Sequence, residues 1–305
     1  MGQRDQRVNG LLLDLGKKIA DRWLTTLFLP GLIWVGTAAL AWRLGWAHAL
    51  DPRAAEPLIR QFEGSHPAGQ SVAVALGALT AAMSAGLTAT GVAAIVRMVR
   101  PLAARTAPAR RCRDLRRRRW DRAGRHAEQL EADALAAAVG SVTVGPEIAE
   151  ARARQDAISL EQPRHATWVN DRLRANAVRI HRAYGLDITL VWPRLWALLP
   201  DALRADITAA QGAYAAAEVI IGWAVLYAVL GLVWGPALLI ALAVLAVGSM
   251  RARSATEVLC QLVEAATDLY GPALAEQLRI PCEGTLAPSV GGAVNELLRK
   301  EAPRA

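Results

Sequence analysis

Arginine is the most prominent chemically active residue in this chain, because twelve arginines lie between residues 97 and 125 and four of them are consecutive. Such a cluster can hold the phosphates of a nucleic acid or of anionic lipid headgroups. Trp120 is the only aromatic residue within the cluster, and no recognition motif accompanies it, so the sequence disfavours nucleic acid. We predict a patch beside the membrane whose anionic-lipid contacts are Arg110, Arg111, Arg113, Arg116, Arg117, Arg118 and Arg119.

The other residues that often do chemistry are scattered along the sequence. No histidine stands at metal-ligand spacing from another histidine or a cysteine, and the cysteines lack CxxC spacing. The sequence also lacks a nucleophilic serine elbow, a phosphate-binding glycine loop and an evident pair of carboxylates. We therefore predict no catalytic residue, no cofactor and no metal, and expect that the protein is not an enzyme. The residues considered are His48, His66, His126, His165, His181, Cys112, Cys260 and Cys282.

Glu218 is the one ionisable residue at the edge of a long apolar stretch that could serve ion coupling. We predict that it forms an interfacial ion pair with an arginine on the cytoplasmic side, while Arg43 marks the opposite interface. A conventional transporter is disfavoured, because neither repeats nor broken polar helices are visible in the sequence.

Hydrophobic residues make up 53% of the 305 residues, and they are concentrated in three uncharged runs of 19, 26 and 32 residues. The runs are residues 24–42, 71–96 and 219–250. Since about 20 apolar residues cross a bilayer as a helix, the sequence predicts an integral membrane protein. This excludes a cytosolic enzyme, a disordered chain and a disulfide-linked scaffold.

The first span is predicted at residues 24–46, behind an amphipathic segment at residues 1–23 that could lie in the headgroup plane. A cleaved signal peptide is the alternative, but the apolar run begins late and is long. The second span, residues 71–96, is rich in small residues. Either they let helices approach closely or they reflect base composition; the predicted packing residues are Gly77, Ala81, Ala85, Gly86 and Thr90.

The third run is too long for one span, at about 1.5 Å per residue against a hydrocarbon core of about 30 Å. The breaker Trp234-Gly235-Pro236 favours a helical hairpin with arms at residues 213–233 and 236–250. A three-span protein with an exported tail is the alternative.

Orientation follows from the basic residues, which stay on the cytoplasmic side. Residues 47–70 contain only two arginines and are predicted to be extracytoplasmic, whereas residues 97–212 form a basic cytoplasmic domain. Residues 251–305 form a cytoplasmic helical tail. Only three lysines against many arginines, together with abundant alanine, indicate a high-GC bacterial source and hence a bacterial cytoplasmic membrane.

The cytoplasmic part reads as helical, with segments at residues 126–138, 147–160 and 168–184. Residues 186–200 are too short to span and too apolar for solvent, so they form a domain core, lie at the membrane surface or contact another subunit. Asp201 is a fair N-cap for a helix that runs into the third span. Apolar residues from Ala255 to Tyr270 form a stripe that meets either the 97–212 region or another subunit, and Gly291-Gly292 is expected to be a loop before a terminal helix.

The predicted fold class is therefore all-α, with four transmembrane helices in a 2+2 arrangement, a helical cytoplasmic insert and a helical tail. Two functions follow from it. One is a non-catalytic scaffold or signalling component that binds an unknown protein partner through its cytoplasmic domain. The other is a homo-oligomeric channel or pore, in which the small-residue second span lines or seals the pore and the cytoplasmic domain gates it. The span order resembles that of oligomeric anion channels such as bestrophins, in topology alone and without their sequence motifs. A membrane-embedded enzyme ranks third, for want of a nucleophile or an acid/base pair.

Overall fold

A computed structural model describes residues 28–46, 68–103, 106–137, 145–282 and 284–299. These ranges contain helices and connecting turns but no strand, which confirms the all-α prediction. The predicted interfacial segment at residues 1–23 and most of the predicted loop at residues 47–70 lie outside the described ranges. The helices are α1 (Leu29–Leu44), α2 (Ala68–Ala103), α3 (Ala107–Ala137), α4 (Pro146–Ile158), α5 (Trp168–Tyr184), α6 (Ile188–Leu198), α7 (Asp201–Leu230), α8 (Pro236–Gln277) and α9 (Pro288–Arg299).

The chain divides into two compact units. The apolar unit comprises residues 1–98 and 215–250, and the polar unit comprises residues 99–214 and 251–305. Helices α2, α7 and α8 contribute residues to both units, since each is continuous across the division.

Within the described ranges, three helices are long and apolar enough to cross a membrane, which indicates a multi-pass membrane protein. They are α2 over residues 75–99, α7, and α8, whose apolar part is residues 236–250. Helix α1 is apolar but only 16 residues long in the described range. The predicted break is present, because α7 ends at Leu230 and α8 starts at Pro236.

Glycines set how closely the helices of the apolar unit approach each other. A side chain on Gly31 of α1 would collide with the backbone oxygen of Ala82 on α2, and one on Gly222 of α7 would collide with that of Ala89. A β-carbon on Gly248 of α8 would lie 2.9 Å from Ile221 Cγ1 on α7. In lipid, burial of apolar surface does not drive helices together. The close approach of the backbones therefore stabilises the unit through dispersion contacts.

The packed face of α2 differs in part from the predicted one. Ala85 and Gly86 are buried as expected and Thr90 is half-buried, but Gly77 and Ala81 are exposed. Ala82 and Ala89 are fully buried instead. The buried alanines recur at three- and four-residue spacing, which places Gly77 and Ala81 beyond the edge of that face.

The core of the polar unit is built on α6. Val191, Leu195 and Leu199 are almost completely buried there, with Trp192 and Trp196 packed around them. Of the three alternatives for residues 186–200, the domain core is confirmed. Asp187 caps α6, and hydrogen bonds from Thr189 lower the pKa of its carboxyl.

Much of the apolar stripe on α8 joins this same core, including Leu259, Val263 and Ala266, so its intramolecular contact is confirmed. Val258 and Leu269 remain exposed.

Helix α8 does not end at Gly271-Pro272, where the sequence places its stop. It continues to Gln277, because Leu274 and Ala275 are buried in the core and offset the hydrogen bond lost at the proline. Arg279, at φ 59°, then closes the helix with a bond from Ile280 N–H to the Ala275 carbonyl.

The expectation of a loop at Gly291-Gly292 is wrong, because both glycines lie inside α9. Gly291 rests directly on the Tyr184 carbonyl, where any side chain would collide. Asn295 secures the same contact by donating to the Gly185 carbonyl at 2.7 Å and accepting from Asp187 N–H.

Candidate functional site

The arginine cluster lies on one long helix with two different faces. The inner face of α3 carries Trp120, Gly124 and Ala127, which are buried or half-buried. The other face of α3, here called the arginine face, is exposed. It consists of Arg110, Arg111, Arg117, Arg118, Arg119, Arg122 and Arg125.

Contacts with α4 hold the inner face in place. Arg152 of α4 forms a bidentate pair with Glu131, both bonds at 2.8 Å. The Trp120 indole donates to the Ser159 carbonyl at 2.7 Å, and Gly124 leaves room for the Gln155 side chain. These contacts fix the direction in which the arginine face points within the polar unit.

The prediction that Arg116 contacts anionic lipid is wrong, because its side chain turns inward. Its guanidinium donates to Asp171 Oδ2 at 2.7 Å and to the carbonyls of His165 and Ile158 at 3.0 Å. Three protein acceptors therefore occupy the donors that would hold a lipid phosphate. The spacing of arginines on a helix does not reveal that one of them meets a buried carboxylate from a later helix.

Asp171 is the centre of this network and is completely buried. Its Oδ1 accepts hydrogen bonds from the backbone N–H groups of Arg164 and His165 at 2.9 Å and contacts His165 Nδ1 at 3.0 Å. The carboxylate thus joins α3, the segment before α5 and α5 itself. We call Asp171, Arg116 and residues 164–165 the anchor.

The remaining predicted lipid contacts are at or near the surface. Arg110, Arg111, Arg118 and Arg119 are exposed on the arginine face. Arg113 is half-buried and pairs with Asp114 at 3.1 Å. Arg117 is exposed and lies 3.1 Å from the Gln162 side-chain amide.

Helix α5 has the predicted bounds, Trp168–Tyr184, and Gly185 adopts φ 68° just past its end. Its buried face includes a cation, because Arg172 is buried whereas the neighbouring Leu173 is 42% exposed. The reason is Glu257 of α8, which accepts two hydrogen bonds from the Arg172 guanidinium at 2.8 and 3.0 Å. Those bonds hold the pKa of the Glu257 carboxyl below its usual value.

In the apolar unit, Glu218 has the kind of partner that the sequence predicts. Arg97 Nε lies 2.9 Å from Glu218 Oε2, with the carboxylate side chain 5% exposed and the arginine side chain 58% exposed. The pair joins the end of the apolar part of α2 to α7.

In the part of the chain that the structure describes, no group of three or more His, Cys, Asp and Glu side chains could hold a metal ion. The three cysteines are free thiols, with Cys112 exposed, Cys282 half-buried and Cys260 buried.

No protein family matches the chain, and no curated protein or solved structure matches it either.

Several residues with structural or chemical importance carry no clear signal in the sequence. Asp171 lies in the first turn of α5, eight residues after Pro163. An acidic residue is favourable near a helix N-terminus, and this position is the one indication of its role that the sequence gives. Asn176 and Cys260 look like ordinary members of helical segments until the folded chain brings α5 and α8 together.

Proposed function

We propose that this chain is a four-span bacterial membrane protein with both termini in the cytoplasm. Two contacts support the arrangement. The Trp46 indole donates to the Leu232 carbonyl at 2.9 Å, which joins the end of α1 to the turn between α7 and α8. The Arg97–Glu218 pair joins the end of the apolar part of α2 to α7 close to residue 215, where α7 enters the apolar unit. Both fit a 2+2 topology in which α1 is the first span.

A fusion at the C-terminus tests this topology. A reporter that is active only outside the cytoplasm should give no signal there, and a strong signal would favour three spans with an exported tail.

Within this topology, we propose that the protein is a non-catalytic scaffold or signalling component whose polar unit presents a cationic platform. The observation that carries the proposal is the arginine face, seven exposed arginines on a helix whose opposite face is fixed by the anchor and by α4. A rigid cationic helix near the bilayer attracts anionic headgroups at about 1 kcal/mol per arginine. The same face can receive an acidic segment of a protein partner.

Replacing Arg110, Arg111 and Arg118 by Gln should weaken the preference of the full-length protein for anionic lipid several-fold, because three of the seven exposed arginines that attract anionic headgroups lose their charge. The measurement is electron paramagnetic resonance in proteoliposomes, comparing spin-labelled phosphatidylglycerol with spin-labelled phosphatidylcholine. The preference should also decline with added salt.

The matched control removes the same charge elsewhere in the polar unit. Arg154, Arg194 and Arg279 are exposed and lie off the arginine face, so replacing them by Gln should leave most of the preference intact. Equal losses in the two triple variants would mean that net charge, not this helix, sets the lipid preference.

The alternative is a homo-oligomeric channel, and one feature of α2 favours it. Besides its buried alanine face and a face of large apolar residues, α2 exposes a third face of small and hydroxyl side chains. Its hydroxyls donate to carbonyls of their own helix, for example Ser84 to Thr80 at 2.8 Å and Thr88 to Ser84 at 2.7 Å. Such a face suits close packing between copies or the lining of a pore.

Particle mass in detergent separates the two functions. A monomer would exclude the channel, whereas a ring that conducts ions in liposomes would exclude a purely passive scaffold.

A further inference from the structure

A pocket of about 430 Å³ opens within the polar unit, lined by residues of α5, α6, α7 and α8. Small-molecule sites typically have volumes of about 300–1,000 Å³, so the pocket suits a small molecule and is too small for a peptide helix. Its wall is mainly apolar and includes Ala177, Ile188, Trp192 and Val263.

One buried amide departs from this apolar character. Asn176 lines the pocket and is only 5% exposed, and its Oδ1 atom has no hydrogen-bond partner among the described residues. Buried polar atoms in folded proteins almost always have a partner, because leaving one unpaired costs stability. The Asn176 carboxamide is therefore an incompletely paired polar group in a mainly apolar wall, and a ligand with one hydroxyl or amide group would pair with it.

The charges around the pocket limit the class of ligand that it can bind. None of the described residues that line the pocket is charged. The charge of the nearby Arg172 is balanced by Glu257, which accepts from Nε and Nη2, although Arg172 Nη1 has no partner among the described residues. An ion entering an apolar pocket would lose its hydration without gaining a counter-charge. The pocket therefore favours a neutral ligand.

We propose that this pocket binds a small, neutral, mainly apolar molecule that carries one hydroxyl or amide group. The polar group forms a hydrogen bond with the Asn176 carboxamide, and the apolar body lies along Ile188, Trp192 and Val263. Trp196 packs against Trp192 with ring centroids 5.8 Å apart and holds its ring in position. This site is independent of the lipid and scaffold functions proposed above.

Cys260 offers a built-in reporter of occupancy, because it lines the pocket and is 1% exposed. Burial raises the pKa of its thiol to about 11, so its alkylation is slow, whereas Cys112 is exposed. With full-length protein in lipid nanodiscs, 2-naphthol should slow the modification of Cys260 by N-ethylmaleimide in a saturable way. The Cys112 rate, measured in the same sample by mass spectrometry, should not change. Naphthalene, which lacks the hydroxyl, should require about five- to tenfold higher concentration for the same protection.

Two variants separate the amide from the apolar wall. Asn176→Leu should remove the advantage of naphthol over naphthalene, and Ala177→Phe should abolish protection by both because it fills the pocket. Ala183→Phe, an exposed change on the same helix, should keep wild-type protection.

Absence of protection in the wild-type protein would overturn the proposal, and so would equal protection by naphthol and naphthalene. The wild-type comparison of the two probes needs no variant, so it stands even where Asn176→Leu fails to fold.

Discussion

Replacing Asp171 by Ala should unfold the anchor and cost roughly 3–5 kcal/mol of stability, the largest effect expected from a single side chain in the polar unit. The substitution removes a completely buried carboxylate that accepts from Arg116, from two backbone N–H groups and from the His165 ring. It leaves the Arg116 guanidinium, whose side chain is only 17% exposed, without its counter-charge.

Hydrogen exchange measured by mass spectrometry on the full-length protein is the most direct test. Exchange should accelerate in residues 159–167 and along α3, while the core around α6 should retain more of its protection. Asp114→Ala provides the matched control, because Asp114 is an exposed carboxylate on α3 that pairs with Arg113. That change should cost less than about 1 kcal/mol, as exposed ion pairs do. If the two variants exchanged alike, the anchor would not hold α3 in place.

The anchor also bears on the arginine face. If Asp171→Ala frees α3 from residues 164–165, the position of the arginine face should change while all seven of its exposed arginines remain. The preference for anionic lipid should then change although the charge of the arginine face does not. Comparing this variant with the triple arginine variant shows whether the lipid preference depends on the fixed position of the arginines or only on their number.

Gly31→Ala should destabilise the apolar unit by about 1–3 kcal/mol, toward the upper end of that range. The added methyl group would overlap the Ala82 carbonyl oxygen, which is backbone and cannot rotate away. Helices α1 and α2 must therefore separate, and their dispersion contacts weaken along the whole interface. The midpoint of thermal unfolding in detergent should fall accordingly.

Gly36→Ala is the control on the same helix, since a β-carbon there meets nothing within 4 Å. It should be neutral or slightly stabilising, because alanine favours a helix over glycine by about 0.5–1 kcal/mol. Gly222→Ala, which meets the Ala89 carbonyl oxygen, should repeat the loss at the contact between α2 and α7. Equal midpoints for Gly31→Ala and Gly36→Ala would show that glycine does not set the helix spacing.

Sequence patterns alone predicted the helical class, the membrane-spanning character, the break before Pro236 and the bounds of α5. These features depend on local composition and periodicity, since runs of uncharged residues, a proline and a stop glycine act within a few residues of themselves. The apolar character of residues 186–200 likewise predicted that they are shielded from water, and they are buried in the core of the polar unit.

Tertiary structure alone decided which polar groups are buried and with whom. Arg116 and Arg172 look like their exposed neighbours in sequence, but Asp171 and Glu257 meet them after the chain returns from 55 and 85 residues away. The need for glycine at position 291 of α9 has the same kind of cause, because the backbone of a distant segment lies against it. The choice of which residues of α2 are packed likewise depends on distant segments that approach α2. Pairing and close approach depend on distances between remote parts of the chain, and a helical period carries no information about those distances.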